Sequence, residues 1–313
     1  MSATVQARTL RLGTRRSALA LAQAELVADA LRADGHDVQL VEVVTEGDRS
    51  AQALTSLGGT GVFVAELRQR LLADDIDLAV HSLKDLPTAD ADGLVIAAVP
   101  QRADPRDALV SREGFALAEL PAGTFVGTGS PRRAAQLHAT GLGLSVVPIR
   151  GNVDTRLRKV AEGEVDAVVV AAAGLARLGR LDEASEILDP AQMLPAPGQG
   201  ALAVECRQRD EGLQAALAAL LDDEATRAAA TAERIVLARL EAGCTAPVGA
   251  LADVAEGDEG LELYLRAAVV AVDGSRAIRM SVTGPVADSD ELAIRLAAQL
   301  IEEGAADLIG ENP

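Results

Sequence analysis

Aromatic side chains are almost absent from this sequence, which has no tryptophan, one tyrosine and three phenylalanines among 313 residues. Aliphatic residues must therefore fill the core, and a hydrophobic content of 49% is ample for that purpose. A chain of this length predicts two or three domains.

Cysteines are equally scarce, and long apolar runs are missing. The two cysteines, Cys206 and Cys244, stand in contexts without metal-ligand spacing, which fits a reducing compartment. The first residues contain no apolar run of signal-peptide length, and no later segment is long enough to span a bilayer. We therefore expect a soluble, cytoplasmic protein that has no membrane partner.

Positive charge is in deficit, because 29 Lys and Arg residues face 47 Asp and Glu residues, giving a net charge of −18. Binding to phosphate backbones requires broad positive fields, so this balance excludes nucleic acid as a partner. An acidic chain also repels anionic ligands at long range, so any anion site must be built locally. No motif for a metal or a nucleotide occurs in the sequence.

Short apolar runs alternate with helical patterns over the first two thirds of the chain. The predicted strands are RTLRLG, VQLVEVV and IDLAV, then TFVGT, LSVVPI and VDAVVVAAA. This alternation predicts βαβ units, a largely parallel sheet and helices on both of its faces. Two such blocks, near 1–100 and 105–196, predict two similar α/β domains. QGALAVECR, at 199–207, predicts one more strand that returns to the first block.

The pattern changes near Asp222, where a long alanine-rich helix precedes two strands joined by a turn at DGSR and a closing helix. This tail predicts a small α+β domain. The predicted domains are therefore 1–102 with 199–221, then 103–198, and finally 222–313. The long glycine-bearing loop over 47–63 predicts a mobile lid.

Arginines occur at three predicted helix starts, each of which follows a strand. A cation at such a position opposes the helix dipole and costs about 0.3–1 kcal/mol. Ser130 and Asn152 are predicted to cap two of these helices, with Pro131 at the first helical position of one. The arginines are Arg15 and Arg16 in GTRRSALALAQ, Arg132 and Arg133 in GTGSPRRAAQL, and Arg150 and Arg156 in PIRGNVDTRLRK.

Two interpretations of these arginines compete. Two of the 29 basic residues are lysines, Lys84 and Lys159, which leaves 27 arginines, and some of them will start helices by chance and be solvated. Three such starts beside backbone N–H donors favour an anion site instead. The planar guanidinium suits carboxylates, and open α/β sheets bind ligands beyond the carboxyl ends of their strands. We therefore expect a ligand with several carboxylates, held in a cleft between the two α/β domains.

A different group of polar residues follows the strand in IDLAVHSLKDLPT, at 76–88. Lys84 and Asp85 could form an ordinary surface pair, and His81 could be a satisfied core residue. A carboxylate at this strand end, facing an arginine-lined cleft, is also well placed to stabilise a cationic intermediate.

Seven motifs together resemble the porphobilinogen deaminase family, also called hydroxymethylbilane synthase. They occur in the family's order from about residue 10 to residue 250, and their combination is highly specific. They are TRRSALALAQ, HSLKDLPT, VGTGSPRRAAQL, IRGNVDTRLRKV, AAAGLARLG, LPAPGQGALAVECR and AERIVLARLEAGC.

The resemblance implies two lobes like those of periplasmic binding proteins, a cleft between them and a small third domain. It also implies a dipyrromethane cofactor joined by a thioether to Cys244 in EAGCTAPVG, whereas Cys206 is expected to be a small buried thiol. The implied reaction joins four porphobilinogen molecules head to tail with loss of ammonia and releases linear hydroxymethylbilane. The implied enzyme is a monomer, and it needs neither a metal nor a nucleotide.

The resemblance also assigns roles to individual residues. Asp85 matches the catalytic aspartate, which stabilises the cation and assists proton transfers. The residues that hold the cofactor are Cys244, Lys84, Arg132, Arg133, Ser130, Thr128 and Ser17. Those that receive the substrate and the growing chain are Arg15, Arg150, Arg156, Arg177 and Gln23.

Several positions depart from the family pattern. Ser56, Thr60 and Ala65 stand where relatives often have lysines, so the glycine loop is expected to gate the cleft without adding charge. Gly129 and Pro131 replace the more usual Ser and Leu, which affects the local loop conformation.

Two alternatives remain open from the residues alone. A non-catalytic anion-binding protein of two lobes would explain the arginines, but neither a cytoplasmic location nor a third domain with Cys244. A thiol enzyme with Cys244 as nucleophile would need a nearby base. The three histidines, His36, His81 and His138, are all distant from Cys244 in the sequence.

Overall fold

A computed structural model of the chain describes residues 9–43, 61–242, 246–258 and 260–310. Cys244 and most of the predicted loop over 47–63, including Ser56 and Thr60, lie outside the described residues. The chain divides into two compact units, of which the first comprises Met1–Arg102 and Ala201–Arg227. The second comprises Ala103–Gly200 and Ala228–Pro313. The three domain boundaries drawn from the sequence stay predictions.

The first unit contains a five-stranded sheet in the order β2-β1-β3-β10-β4. Strand β1 is parallel to β2 and β3, whereas β10 is antiparallel to both of its neighbours, so one strand of the five is reversed. The expected strand over 199–207 is thus present as β10 and lies in this sheet. The strands are β1 (Leu10–Arg15), β2 (Val38–Val43), β3 (Leu78–Ser82), β4 (Leu94–Ala98) and β10 (Leu202–Arg207).

Helices cover both faces of this sheet, as the nearly continuous apolar character of its central strands requires. The buried residues of α1 include Ala24, Val27, Ala28 and Leu31, which form the apolar stripe of an amphipathic helix. One core cluster joins α1 and α6 to the sheet, and a second joins α2 to the opposite face. The helices are α1 (Ala18–Ala33), α2 (Gly61–Leu72) and α6 (Glu211–Leu221).

The second unit contains a sheet with the same arrangement, in the order β7-β6-β8-β5-β9. Strand β6 is parallel to β7 and β8, and β5 is the reversed strand. The prediction of two similar α/β folds is therefore confirmed. The elements are β5 (Asp107–Ser111), β6 (Phe125–Thr128), α3 (Pro131–Ala139), β7 (Ser145–Pro148), α4 (Val153–Ala161), β8 (Ala167–Ala171), α5 (Ala172–Arg177) and β9 (Glu186–Ile187).

The C-terminal part of the second unit is an antiparallel sheet in the order β11-β12-β13, packed against helices around one core cluster. The α+β class predicted for this tail is confirmed, but the prediction of two strands was wrong because β11 is a third. The elements are α7 (Glu224–Arg239), β11 (Val248–Gly257), β12 (Gly260–Val270), β13 (Ala277–Pro285), α8 (Ser289–Glu302) and α9 (Ala305–Gly310).

Three strands of the α/β sheets, β4, β5 and β9, were also missing from the prediction. Two of them are short apolar runs of five residues, and β9 has only two residues. Runs of this length carry too little periodicity to be separated from loops by sequence pattern. Over the described residues, none of the helices combines the length and the apolar character needed to cross a membrane.

A buried ion cluster joins three strands of the first sheet at the end away from Arg15. Asp77, which is 2% exposed, accepts hydrogen bonds from the Arg11 backbone N–H at 2.9 Å and from its Nε at 3.0 Å. Arg207, at the end of β10, donates to the Asp77 carboxylate at 3.2 Å and to the carbonyl oxygen of Leu71 at 2.9 Å. These contacts fix β1 and β10 relative to the segment that enters β3.

Asp77→Asn is expected to lower the free energy of unfolding by about 3 kcal/mol, because it removes the buried carboxylate charge that pairs with both Arg11 and the buried Arg207. Denaturant unfolding measures the change. Asp75→Asn is the matched control, since Asp75 pairs with Arg70 at 3.2 Å while about half of each side chain is exposed. That exchange should cost less than about 1 kcal/mol. Equal losses for the two variants would contradict this account of the cluster.

Candidate active site

The carboxyl ends of β1 and β3 bring two groups of predicted site residues to one edge of the first sheet. Because these strands are parallel neighbours, Arg15 at the end of β1 emerges at the same edge as the turn after Ser82. The turn is a 3-10 helix, Leu83–Asp85, and its backbone is held by a hydrogen bond from the Leu83 N–H to the Ala201 carbonyl at 3.0 Å.

Lys84 and Asp85 occupy this turn between two buried leucines. Leu83 is 2% exposed and Leu86 is 1% exposed, so both anchor the turn in the core, while Lys84 and Asp85 are half-buried. A half-buried carboxylate on an anchored turn can act on a ligand without moving the strand that carries it.

Ser17 and Gln23 lie on the helix that follows β1. The Ser17 side chain caps α1 by accepting a hydrogen bond from the Ala20 N–H at 3.2 Å. Gln23 is 6% exposed and lies among the buried residues of that helix. Arg16 is exposed and pairs with Glu42 at 3.3 Å, which is the solvated arrangement expected of a surface arginine.

His81 belongs to a buried ion cluster on the strand that leads to this turn. Its Nε2 lies 3.2 Å from the Glu205 carboxylate, which also accepts a hydrogen bond from Arg68 Nε at 3.0 Å. Burial raises the pKa of Glu205, but its contacts with His81 and Arg68 outweigh burial, so this pKa lies below its ordinary value. The structure therefore confirms His81 as a buried core residue in contact with Glu205, but its Nε2 has no hydrogen bond of good geometry within the described residues, so the expectation that it is satisfied was wrong.

The second sheet gathers the remaining predicted arginines at the carboxyl ends of β7, β6 and β8, three adjacent parallel strands. Ser130 caps α3 with a long hydrogen bond of 3.5 Å from the Arg133 N–H, and Pro131 is the first helical residue. Asn152 caps α4 through the Thr155 N–H at 2.9 Å. Both predicted caps are confirmed. The other site residues at this edge are Thr128, Arg132, Arg150, Arg156 and Arg177.

Arg132 and Arg133 share a carboxylate that the sequence did not reveal. Asp107, which is completely buried at the start of β5, lies 2.8 Å from Arg132 Nη1 and accepts hydrogen bonds from Arg133 Nε at 3.0 Å and Nη2 at 2.6 Å. Gln199 Nε2 donates to the same carboxylate at 2.9 Å. Burial raises the pKa of Asp107, but the two guanidinium charges outweigh it and hold this pKa well below its ordinary range.

Two guanidinium groups and one carboxylate leave one positive charge at the start of α3. Burial lowers the pKa of Arg132, because removal from water disfavours its charged form. The sequence feature that could have revealed Asp107 is an acidic residue at the start of the short run DALVS. Because β5 pairs antiparallel with β8, the start of β5 lies beside the carboxyl end of β8. Sequence reasoning did not predict β5 and so missed this residue.

Arg156 and Arg177 carry uncompensated charge at the same edge. Burial lowers the pKa of each to about 10, and the charge of Arg133 contributes for Arg156. Among the described residues neither has a carboxylate partner: Arg156 Nε donates to the Gly151 carbonyl at 2.9 Å, and Arg177 Nη2 donates to the Gly200 carbonyl at 2.6 Å. Arg150 is exposed beside them. This edge therefore holds an excess of positive charge in a chain whose net charge is −18.

Gly129 allows the loop between β6 and α3 to approach the end of β7. A Cβ atom at this position would lie 2.6 Å from the Ile149 carbonyl oxygen, so a serine would force the backbone to shift. Of the other departures within the described residues, Pro131 is the first residue of α3 and Ala65 is exposed on α2.

Family models match most of the chain. Residues 10–215 match the model described as "Porphobilinogen deaminase, dipyromethane cofactor binding domain", and residues 227–302 match "Porphobilinogen deaminase, C-terminal domain". The residues outside these two matches are 1–9, 216–226 and 303–313.

Curated relatives of the same name cover nearly the whole chain. Porphobilinogen deaminase 1 of Streptomyces coelicolor is 56% identical over 315 residues, covering 97% of this chain and 98% of the relative. Porphobilinogen deaminase of Mycobacterium leprae is 57% identical over 305 residues, covering 96% of each.

Similar solved structures include the methionine-binding protein MetQ, which has 16% identity and a TM-score of 0.39, over 65% of this chain and 84% of that protein. Another is a periplasmic substrate-binding protein of an ABC transporter from Coxiella burnetii, which has 14% identity and a TM-score of 0.43, over 68% and 92%. The family models and the curated relatives establish the family: the chain belongs to the porphobilinogen deaminases.

Proposed function

We propose that this chain is a transferase that condenses four porphobilinogen molecules head to tail, releases ammonia and yields linear hydroxymethylbilane for tetrapyrrole biosynthesis. Family membership supports the reaction, since the relatives carry the name of this deaminase. The observation that carries the proposal is the pair of half-buried arginines, Arg156 and Arg177, which donate to backbone carbonyls and have no carboxylate partner among the described residues. Porphobilinogen brings an acetate and a propionate, which are the anions that such a site requires.

The donors at this edge also fit a dipyrromethane, which carries the same acids on each ring. The Nε atoms of Arg132 and Arg177 are buried and have no hydrogen-bond partner within the described part of the chain. A carboxylate is the acceptor that best matches an orphaned guanidinium N–H. When bound, the dipyrromethane supplies the free pyrrole α-carbon to which the first substrate is joined. We propose a thioether to Cys244, between α7 and β11, as its attachment.

Each addition breaks one C–N bond and forms one C–C bond. The C–N bond of the protonated aminomethyl group of the substrate breaks and neutral ammonia leaves, which gives a cationic azafulvene. A C–C bond then forms between its methylene carbon and the free α-carbon of the acceptor pyrrole, and that carbon loses its proton. Four additions release four ammonia molecules, and one water molecule is consumed when hydroxymethylbilane departs.

Asp85 is the group proposed to stabilise the cation and to assist the proton transfers. Its carboxylate has the opposite charge to the azafulvene, and its turn is anchored by buried Leu83 and Leu86. A preorganised charge of this kind needs no rearrangement when the substrate charge develops. Lys84, beside it, would hold a cofactor carboxylate.

The arginines are proposed to divide the carboxylates between them. Arg132 and Arg133 would hold the cofactor, because Asp107 fixes both guanidinium groups and leaves one positive charge. The remaining cofactor contacts would come from Ser17, Thr128 and Ser130. The substrate and the lengthening chain would be received by Arg15, Gln23, Arg150, Arg156 and Arg177.

A cytoplasmic location, a monomeric state and the absence of a metal remain predictions from the sequence.

Native protein is expected to be heavier than its sequence by two linked pyrrole units, and Cys244→Ala should abolish the increment because it removes the proposed sulfur anchor. Intact-mass spectrometry measures both. The control is Cys206→Ala, which should keep the increment, since Cys206 is completely buried and burial raises the pKa of its thiol to about 11. An unmodified mass in active protein, or a modification on Cys206, would contradict the attachment.

Asp85→Asn should leave the fold intact and lower turnover by about 10²–10³, because the amide keeps the shape but loses the charge that faces the cation. Ammonia release in the steady state measures turnover, and circular dichroism checks the fold. Asp90→Asn, an exposed position in the same region, is the control and should retain turnover. Normal turnover in Asp85→Asn would show that this carboxylate is only structural.

Arg177→Leu should yield protein that carries its cofactor but stalls, with turnover at least about tenfold lower, because a charged hydrogen-bond donor is lost. Brief exposure to porphobilinogen followed by intact-mass spectrometry should reveal incomplete chains on Cys244. Arg150→Leu should stall in the same way, and Arg177→Lys should rescue only in part because lysine lacks the planar fork.

Arg158→Leu is the matched control, because the Arg158 side chain is 65% exposed and is only 3.9 Å from Glu162 in a surface pair. Its mass distribution and turnover should equal those of the native protein. If Arg177→Leu and Arg150→Leu behave like this control, the proposed division of labour is wrong.

A further inference from the structure

Residues 193–200 form a buried segment without helix or strand, here called the 193–200 connector. All of its residues are buried except Ala196, which is half-buried. Irregular segments normally run over the surface, where water satisfies their backbone groups. A buried one must find protein partners instead, and the partners of this connector are side chains of the candidate site and elements of the C-terminal sheet.

Helix α3 holds the start of the connector through Gln136. This side chain is 1% exposed, accepts a hydrogen bond from the Leu194 N–H at 2.8 Å and donates one to the Leu194 carbonyl at 3.0 Å. The same carbonyl accepts a hydrogen bond from Arg132 Nη1 at 2.6 Å. The side chains of Gln136 and Arg132 thus donate to the same carbonyl oxygen. Gln136 also accepts from the Leu194 N–H, so it holds both backbone polar groups of that residue.

The C-terminal elements hold the connector from another direction. The Pro195 carbonyl accepts a hydrogen bond from the Ala250 N–H of β11 at 2.9 Å. The Glu233 carboxylate on α7 accepts hydrogen bonds from the Gly198 N–H at 2.6 Å and from the Ala252 N–H at 2.8 Å. Helix α7 and strand β11 are the elements that precede and follow Cys244 in the sequence.

The backbone of β11 at Gly249 packs closely against Leu194 of the connector. A Cβ atom added at Gly249 would lie 2.8 Å from the Leu194 carbonyl oxygen and 3.1 Å from the Leu194 Cβ. A displacement of β11 toward the connector would therefore push against the Leu194 carbonyl, which is an acceptor of Arg132. At its other end, the connector offers the Gly200 carbonyl to Arg177 at 2.6 Å.

We propose that Gln136 is a positioning residue that acts through the 193–200 connector. It holds the Leu194 carbonyl, and thereby Arg132, in register with the elements that flank Cys244. This inference rests on the proposed function, because it assumes that Arg132 receives a carboxylate of the dipyrromethane whose anchor is Cys244. Its consequence is that loading of the cofactor, and not only folding, depends on a glutamine that does not itself contact the cofactor.

The test is the rate at which apo-protein gains the dipyrromethane mass. Gln136→Met keeps most of the side-chain volume but removes both hydrogen bonds between residue 136 and Leu194. The Leu194 carbonyl, which accepts from Arg132, is then no longer held in place. Protein produced in a host that cannot make porphobilinogen is mixed with porphobilinogen, and intact mass is followed with time. Loading should be about tenfold slower than in the native chain, because a buried polar group without a partner is costly.

Ser185→Ala is the matched control for stability. Ser185 Oγ accepts a hydrogen bond from the Ser111 N–H at 3.0 Å and lies 2.9 Å from Ser111 Oγ. This pair lies at the end of β5, beside β9, and does not contact the connector through these bonds. This variant should also melt at a lower temperature, yet it should load at the native rate. The proposal would be overturned if Gln136→Met gained the dipyrromethane mass at the native rate and kept the native KM for porphobilinogen, while only its melting temperature fell.

A second variant decides the matter if Gln136→Met does not fold. Gly249→Ala leaves every hydrogen bond donor in place but pushes on Leu194 from the side of β11, so it should also slow loading. Native loading in Gly249→Ala would then overturn the proposal. A native chain that never gains the dipyrrole mass would instead overturn the proposed function, and this inference with it, so the two failures are distinguishable.

Discussion

An excess of positive charge that no carboxylate of the described residues neutralises governs the candidate site. Arg156 and Arg177 are partly withdrawn from water at the carboxyl edge of the second sheet, and burial lowers the pKa of both. The described residues offer them backbone carbonyls and no carboxylate. In a chain with a net charge of −18, such a site is costly unless an anion completes it. The local arrangement of strands, caps and the buried Asp107 serves to hold these cations in place.

The sequence predicted the parts of this arrangement that depend on local chemistry. Alternating apolar runs predicted the two α/β folds, and the caps at Ser130 and Asn152 followed from side chains that satisfy free N–H groups. The expectation of an anion site followed from arginines at helix starts, where a cation conflicts with the helix dipole. The family resemblance singled out Asp85 and Cys244, which composition and periodicity alone would have left among several candidates, and the roles of both residues stay predictions.

Tertiary pairing determined what the sequence did not predict. Asp107 enters the site only because β5 runs opposite to β8, and a five-residue strand gives no sign of its direction. Gln136 looks like an ordinary polar residue of a helix until the irregular segment around Leu194 is seen to be buried against it. Strand β11 was missed because its second half, DVAEG, is mostly exposed and its first half, VGALA, is wholly buried, so neither half alternates apolar with polar residues.

The central claim is that this edge of the second sheet binds the carboxylates of a covalently attached dipyrrole. An experimental structure of the protein purified in its native state tests that claim most directly. The account predicts a dipyrrole whose acetate and propionate groups lie within hydrogen-bonding distance of Arg132 Nε and of Arg133, joined to the sulfur of Cys244. A structure in which the group is attached elsewhere, or in which these guanidinium groups contact no carboxylate of the dipyrrole, would contradict it.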